Sequence, residues 1–198
     1  MTVAPASPSA RERILDAASA AFYARGIAAV DVDAIVEEAG VAKATLYRHF
    51  RTKDDLVVAF LRRRDERWRA WLRDAVDRLA DGPADRPLRV FDALGEWFAS
   101  AEFRGCAFIN AAAEIADPAH PARGAVEDHS RALRAYLHDL LDQAGSPDPD
   151  GDAGALLLLV EGAIISAVIE GDPSPAARAR RAAGRVITTT DTRERTDG

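Results

Sequence analysis

The stretch that decides the fold covers residues 31–53 and reads DVDAIVEEAGVAKATLYRHFRTK. Its first half has apolar residues at helical spacing behind Asp31, an aspartate that can cap the helix. These apolar residues are Val32, Ile35, Val36 and Ala39. Gly40 is expected to end this helix in a left-handed turn, and a second helix follows over roughly residues 43–50. Two helices joined by a short glycine turn predict a helix-turn-helix, whose second helix fits the major groove of DNA.

The second helix has an apolar inward side and a polar outward side. The inward residues are Leu46 and Phe50, and the outward residues are Lys43, Ala44, Thr45, Tyr47, Arg48 and His49. Lys43 and Lys53 are the only lysines in a chain with 26 Lys and Arg residues, and no acid lies between them. Cationic and hydroxyl side chains of this kind reach phosphate oxygens, although two lysines on a solvated face are the alternative interpretation.

The chain resembles the DNA-binding domain of the TetR family of one-component repressors over about residues 11–61. The residues that carry the resemblance are Gly26, Ile27, Val32, Ile35, Ala39, Gly40, Val41, Thr45, Leu46, Tyr47, His49, Phe50, Lys53 and Leu56. The resemblance implies a three-helix DNA-binding domain, followed by a larger helical domain that binds a small molecule and dimerises.

The resemblance also assigns DNA contacts by position. The residues expected to face bases or nearby phosphates are Lys43, Ala44 and Thr45. The residues expected to hold the DNA backbone are Tyr47, His49 and Lys53. Arg48 is expected to do either. Ala42 departs from the family, which often has Ser or Thr there, and the missing capping oxygen costs on the order of 1 kcal/mol.

Composition limits the class of protein. A length of 198 residues with 48% hydrophobic residues fits one or two small domains with a buried core, and the net charge of −6 is not that of a nonspecific nucleic-acid coat. Cys106 is the single cysteine, which is consistent with a reducing cytoplasm. The first ten residues lack the pattern of a signal peptide. We therefore expect a soluble, cytoplasmic protein that is not in a membrane.

The helical pattern predicts an all-α protein with four segments. A disordered arm is predicted over residues 1–8, the DNA-binding domain over 9–55, the ligand-binding and dimerisation domain over 56–187, and a disordered tail over 188–198. Ser9 with Glu12, and Thr52 with Asp55, form capping-box patterns. The second pattern opens a long helix over about residues 53–80, whose cluster of arginines we interpret as a solvated face rather than a DNA contact.

The later helices are predicted over residues 87–101, 106–116, from about 120 or 124 to 144, 152–171 and 173–187, with a loop over 145–151. The helix over 152–171 is apolar nearly all round, so it needs cover on every side. A homodimer formed by the last two helices supplies that cover, and a central helix in a monomer is the alternative. A twofold dimer carries two recognition helices and predicts a near-palindromic operator.

The middle of the chain is rich in aromatic residues, with a few polar residues among them. An apolar cavity with a few polar groups is typical of a small-molecule site. The candidate effector-pocket residues are Trp68, Phe91, Trp97, Phe98, Phe108, Asn110, His129, Tyr136 and Glu161. Each residue taken alone also fits a core or surface position. Glu161 needs a partner if it is buried, which a ligand, an arginine or its dimer mate can supply.

No catalytic or metal-binding pattern is present in the sequence. Asp128, His129 and Ser130 have the letters of a triad, but neighbours in a helix point in different directions. The sequence contains no phosphate-binding glycine loop, GxSxG or HExxH. We therefore expect no cofactor, no metal and no enzyme activity. The sequence favours a transcriptional repressor that a small apolar or aromatic effector releases from DNA, and the alternative is a helical dimeric protein-interaction module.

Overall fold

The computed structural model describes residues 8–193, with side chains described to residue 187. Its α-helices are α1 Ala10–Arg25, α2 Val32–Ala39, α3 Lys43–His49, α4 Lys53–Leu79, α5 Arg86–Phe98, α6 Ala107–Glu114, α7 Ala122–Gln143, α8 Pro149–Glu170 and α9 Ser174–Arg193. No strand occurs in the described residues, which confirms the all-α prediction. Most of the predicted arm and the end of the predicted tail lie outside the described residues.

Contacts group the chain into two compact units. The first unit comprises Met1–Asp65 and Ala107–Glu127, and it therefore includes α6 as well as the three N-terminal helices. The second unit comprises Glu66–Cys106 and Asp128–Gly198. The sequence instead places a boundary between residues 55 and 56 and does not group α6 with the N-terminal helices.

The core of the first unit is built where α1, α2 and α3 pack on one another. Phe22, Ile35 and Leu46 are buried there, and the Phe22 ring lies 5.6 Å from the Phe60 ring. Burying each such side chain stabilises the fold by about 1.5–3 kcal/mol. Ser9 and Glu12 form the predicted capping box at the start of α1.

The turn between α2 and α3 has the conformation that the sequence predicts, whereas the N-cap of α2 lacks the predicted hydrogen bond. Gly40 has a φ of 61° and a ψ of 44°, so it ends α2 in the predicted left-handed conformation. Asp31 occupies the N-cap position of α2, but its side chain makes no capping hydrogen bond, so the predicted side-chain cap is wrong. The position still places a negative charge at a helix N-terminus, where it is favourable.

The long helix α4 begins at the predicted capping box of Thr52 and Asp55. Two of its arginines are half-buried and contact α1, so they are less solvated than our interpretation of that face predicts. Arg63 donates to the Asp16 carboxylate at 2.8 Å and to the Leu15 carbonyl at 2.6 Å, both on α1. Arg64 stacks on the ring of Tyr23 at 3.8 Å. These contacts fasten α4 to α1 within the first unit.

The second unit is built on packing between α5, α8 and α9. Helix α8 begins at Pro149, three positions before the predicted start, so the predicted loop over 145–151 is too long. Asp148 accepts a hydrogen bond from the Gly151 N–H at 3.0 Å, and proline is favourable in the first turn of a helix. Helix α9 continues to Arg193, past the predicted end at residue 187.

One face of α8 is not covered by any of the described residues. Leu156, Val160 and Ile164 are buried, whereas the opposite side exposes large apolar residues. The exposed residues, here called the uncovered face of α8, are Leu158, Ile165, Val168 and Ile169. Helix α8 is also long and apolar enough to cross a membrane, as core helices of soluble proteins are too. The described part of a single chain therefore does not bury this helix on every side.

Candidate nucleic-acid interface and effector site

Helix α3 presents the predicted DNA-contacting residues on an open surface. Leu46 is fully buried, so the helix is seated on the core of the first unit. The exposed residues of the helix are Lys43, Ala44, Tyr47, Arg48 and His49, and Thr45 is half-buried. The structure therefore brings six of the seven predicted DNA-contacting residues together on one short helix.

Lys43 has an acidic neighbour that the sequence pattern does not reveal. Its Nζ lies 2.7 Å from Oδ1 of Asp33 on α2, and both side chains are exposed. The hydrogen bond to Asp33 raises the pKa of Lys43 above its ordinary value. No acid lies between Lys43 and Lys53 in the sequence, as predicted. The turn at Gly40, however, brings Asp33 of the preceding helix against Lys43.

Lys53, the seventh predicted DNA-contacting residue, is half-buried at the start of α4. Its Nζ donates to the carbonyl of Ile27 at 2.7 Å and lies 5.9 Å from the centre of the Phe22 ring. An ammonium group has three donors, so two remain for other acceptors. Lys53 thus ties α4 to the turn between α1 and α2.

Glu114, at the end of α6, holds the same turn from another side. Its Oε2 accepts a hydrogen bond from the Ala28 N–H at 2.8 Å. Gly26 has a φ of 85°, and a Cβ atom at this position would lie 2.9 Å from the Glu114 carboxylate. The turn therefore favours glycine for its backbone conformation, and a Cβ atom here would displace the Glu114 carboxylate. No sequence pattern joins two positions that are 86 residues apart.

Two of the predicted effector-pocket residues belong to the first unit. Asn110 lines a cavity of about 30 Å³ beside Gly26 and Glu114, which has room for about one water molecule. Phe108 is buried. The cavity around Asn110 is therefore too small for an organic effector.

Four other predicted residues meet in the second unit. The Trp68 ring lies 5.5 Å from the rings of both His129 and Trp97. We call the full set the aromatic cluster, and its members are Trp68, Trp71, Trp97, Phe98, Phe103 and His129. The Nε1 atom of Trp68 is buried and has no hydrogen-bond partner in the described part of the chain. A buried donor of this kind lacks an acceptor that a ligand can supply.

The remaining three predicted residues have different environments within the second unit. Phe91 is a fully buried core residue. Tyr136 lies beneath the Arg73 guanidinium at 5.6 Å, and burial raises its pKa to about 12. Glu161 is half-buried without a hydrogen bond or ion pair to any described residue, and burial raises the pKa of its carboxyl group.

Comparisons with known proteins place both units in one family. The family model for bacterial regulatory proteins of the tetR family matches residues 14–60, and that for tetracyclin repressor-like C-terminal domains matches residues 83–183. The structure of SCO4454, a TetR-family transcriptional regulator from Streptomyces coelicolor, superposes with a TM-score of 0.82 at 36% identity, over 91% of this chain and 95% of that one. The chain belongs to the TetR family of transcriptional regulators.

Two curated relatives agree with this assignment. The HTH-type transcriptional repressor KstR2 of Mycobacterium tuberculosis is 30% identical over 135 residues, which are 68% of this chain and 66% of the relative. The HTH-type transcriptional regulator YjdC of Escherichia coli is 23% identical over 177 residues, which are 89% of this chain and 93% of the relative. This TetR-family chain is a DNA-binding transcriptional regulator, and its family consists generally of non-enzymatic proteins.

Proposed function

We propose that this TetR-family regulator is a dimeric repressor. It reads a near-palindromic operator through α3 and leaves the DNA when a small apolar or aromatic effector binds. The observation that carries the proposal is the geometry of α3. Its apolar side chain Leu46 is fixed in the core, while Lys43, Tyr47 and Arg48 remain exposed. A helix held rigidly by one side and polar on the other is suited to the major groove.

The DNA contacts are divided between base edges and phosphates. Residues near the start of α3 face bases or nearby phosphates, and these are Lys43, Ala44 and Thr45. Residues that bind the DNA backbone are Tyr47, His49 and Lys53, whereas Arg48 reaches either. The hydrogen bond of Lys53 to Ile27 supports a phosphate role, because it fixes the position of the ammonium group and leaves two donors.

The uncovered face of α8 supports the homodimer. Four large apolar side chains there are between 45% and 79% exposed, which is unfavourable in water. Pairing α8 and α9 with a second copy covers these residues. The resulting dimer carries two copies of α3, which fit half-sites about 34–36 Å apart on one side of the duplex.

The aromatic cluster supports an apolar or aromatic effector. Its rings form an apolar environment, and the Nε1 of Trp68, which has no partner among the described residues, is one hydrogen-bond donor. A fitting ligand has an apolar body and one acceptor atom. Release requires the ligand to prefer the conformation that does not bind DNA, and DNA must then weaken ligand binding by the same factor.

Selection of duplexes from a random library by the purified protein tests the proposal. We expect enrichment of a near-palindromic sequence that binds two chains per duplex. Arg48→Ala, an exposed substitution on α3, is expected to reduce this enrichment without loss of helical circular dichroism. Glu102→Ala, an exposed substitution outside α3, serves as the control and is expected to leave it unchanged. If no sequence is enriched by the wild-type protein, the protein-interaction module becomes the better interpretation.

A further inference from the structure

We propose that Asp33 is a specificity-determining residue, because its ion pair with Lys43 directs the lysine to a base edge and withholds it from phosphates. The inference rests on the proposed use of α3 in the major groove. Asp33 lies in the first turn of α2, and Lys43 is the first residue of α3. The two residues thus meet across the turn of the helix-turn-helix, with 2.7 Å between Nζ and Oδ1.

The pair changes what Lys43 contributes to non-specific binding. Affinity for DNA of any sequence comes mainly from cations that neutralise phosphates and release counterions. The Asp33 carboxylate already neutralises the charge of Lys43. If the intact pair approaches a phosphate, it brings no net positive charge to the DNA. If Lys43 approaches alone, the pair must break. Breaking the pair leaves a carboxylate beside the phosphates, which is repulsive. Lys43 is therefore a poor phosphate ligand while Asp33 is ionised.

A base edge offers Lys43 a better acceptor. The ammonium group has three donors, and Asp33 occupies one of them. The two remaining donors match the O6 and N7 acceptors of guanine in the major groove. Guanine carries no net charge, so it does not repel the carboxylate as a phosphate does. The chemistry therefore assigns a guanine of the half-site to Lys43, with Asp33 as the residue that positions it.

Both side chains are open to substitution without loss of the fold. The side chain of Lys43 is 52% exposed and that of Asp33 is 73% exposed, and neither takes part in the core of the first unit. Asp31 provides a matched control, because it is an exposed acid two positions earlier with no capping hydrogen bond. Asp33→Glu provides the conservative variant that keeps the pair.

The test measures binding of full-length protein to a duplex of scrambled sequence, by fluorescence anisotropy over a range of salt concentrations. Asp33→Asn frees one cation per chain and two per dimer, so the slope of log K against log salt should steepen by about 1.8, with about 60-fold tighter binding at 0.1 M salt. In the Asp33→Asn background, Lys43→Ala should abolish the whole gain. Asp31→Asn and Asp33→Glu should leave the slope within error of the wild type.

On the selected duplex, Asp33→Asn should lower the ratio of specific to scrambled affinity and weaken the preference for guanine. An unchanged slope in Asp33→Asn would overturn the inference. An equal effect of Asp31→Asn would also overturn it, because it would indicate general repulsion between acidic side chains and the phosphates. A flatter slope in Lys43→Ala alone would also overturn it, since Lys43 would then already contact a phosphate. All of these measurements need a wild-type protein that binds duplex DNA. If the wild-type protein does not bind, the proposed function itself fails, and that outcome is distinct from failure of the inference about Asp33.

Discussion

At the scale of single residues, Tyr47 tests whether α3 contacts the phosphates of DNA. The residue is 43% exposed on α3, which leaves its side chain open to a phosphate. Tyr47→Phe should weaken binding to every duplex by a similar factor, because phosphate contacts carry no sequence information. Lys43→Ala should instead change which base is preferred. Affinities for a panel of single-base operator variants test this, and a changed preference in Tyr47→Phe alone would reverse the assigned roles.

Glu161 gives a prediction about pH. Burial raises the pKa of this carboxyl group in the folded chain above its ordinary value of 4.5. The folded state therefore favours the protonated form, and this stabilisation is full below the unfolded pKa and lost as pH rises through the folded pKa. Glu161→Gln should resist urea better than the wild type at neutral pH, and the difference should disappear below about pH 4.

Glu170→Gln is the control for this pH prediction, because Glu170 is exposed and forms an ion pair with Arg178. Removing its charge should bring no gain in stability at neutral pH. If Glu161→Gln is no more stable than the wild type at neutral pH, Glu161 has a cationic or hydrogen-bonding partner in the assembled protein.

At the scale of elements, the turn between α1 and α2 is held between α4 and α6. Lys53 binds its Ile27 carbonyl, and Glu114 binds its Ala28 N–H. Gly26→Ala should destabilise the protein by about 1–3 kcal/mol, mainly because the φ of 85° is strained for alanine, and the Glu114 carboxylate must also move away from the new Cβ. Urea unfolding measures the change.

Gly124→Ala is the matched control, because Gly124 lies in α7 and nothing surrounds the position of its Cβ. Alanine is the better helix former there, so this substitution should stabilise the protein by up to about 1 kcal/mol. Equal stability of Gly26→Ala and the wild type would show that the turn relaxes freely and that Glu114 does not hold it.

Local sequence patterns predicted most helices, because capping boxes, glycine stops and apolar spacing act within a few residues. Ser9 with Glu12 and Thr52 with Asp55 begin their helices as expected. The side-chain cap from Asp31 was wrong, since position alone does not fix a rotamer. Local patterns do not predict the contact of Lys43 with Asp33 or that of Ala28 with Glu114. Each of these pairs forms only when the folded chain brings together residues that are distant in the sequence.

The candidate effector site shows the same limit. The aromatic content of the middle of the chain identified Trp68 and Trp97 as candidate pocket residues, and the structure brings their rings together. Spacing alone did not assign Asn110 to a water-sized cavity beside Gly26, because that requires knowing which unit α6 joins.

At the scale of the whole molecule, the uncovered face of α8 predicts the position of the dimer interface. Ile169 is 79% exposed in the single chain. Ile169→Asp should therefore leave the monomer folded but bury an unpaired charge in the dimer, which costs several kcal/mol. Sedimentation velocity should show dissociation, and DNA binding should be lost with it. Ala70→Asp, an exposed substitution on α4, should leave the dimer intact. An Ile169→Asp dimer of unchanged affinity would place the interface elsewhere.

We propose that exposed residues of α3 and the half-buried Lys53 at the start of α4 bind the phosphates and bases of duplex DNA. The most direct test is the affinity of the wild-type protein for its selected duplex, measured by anisotropy as salt increases. With about 6–10 phosphate contacts in the dimer, affinity should fall about 10³–10⁵-fold between 50 and 200 mM salt. An affinity that does not change over this range would contradict the claim, because a surface that neutralises phosphates cannot be indifferent to salt.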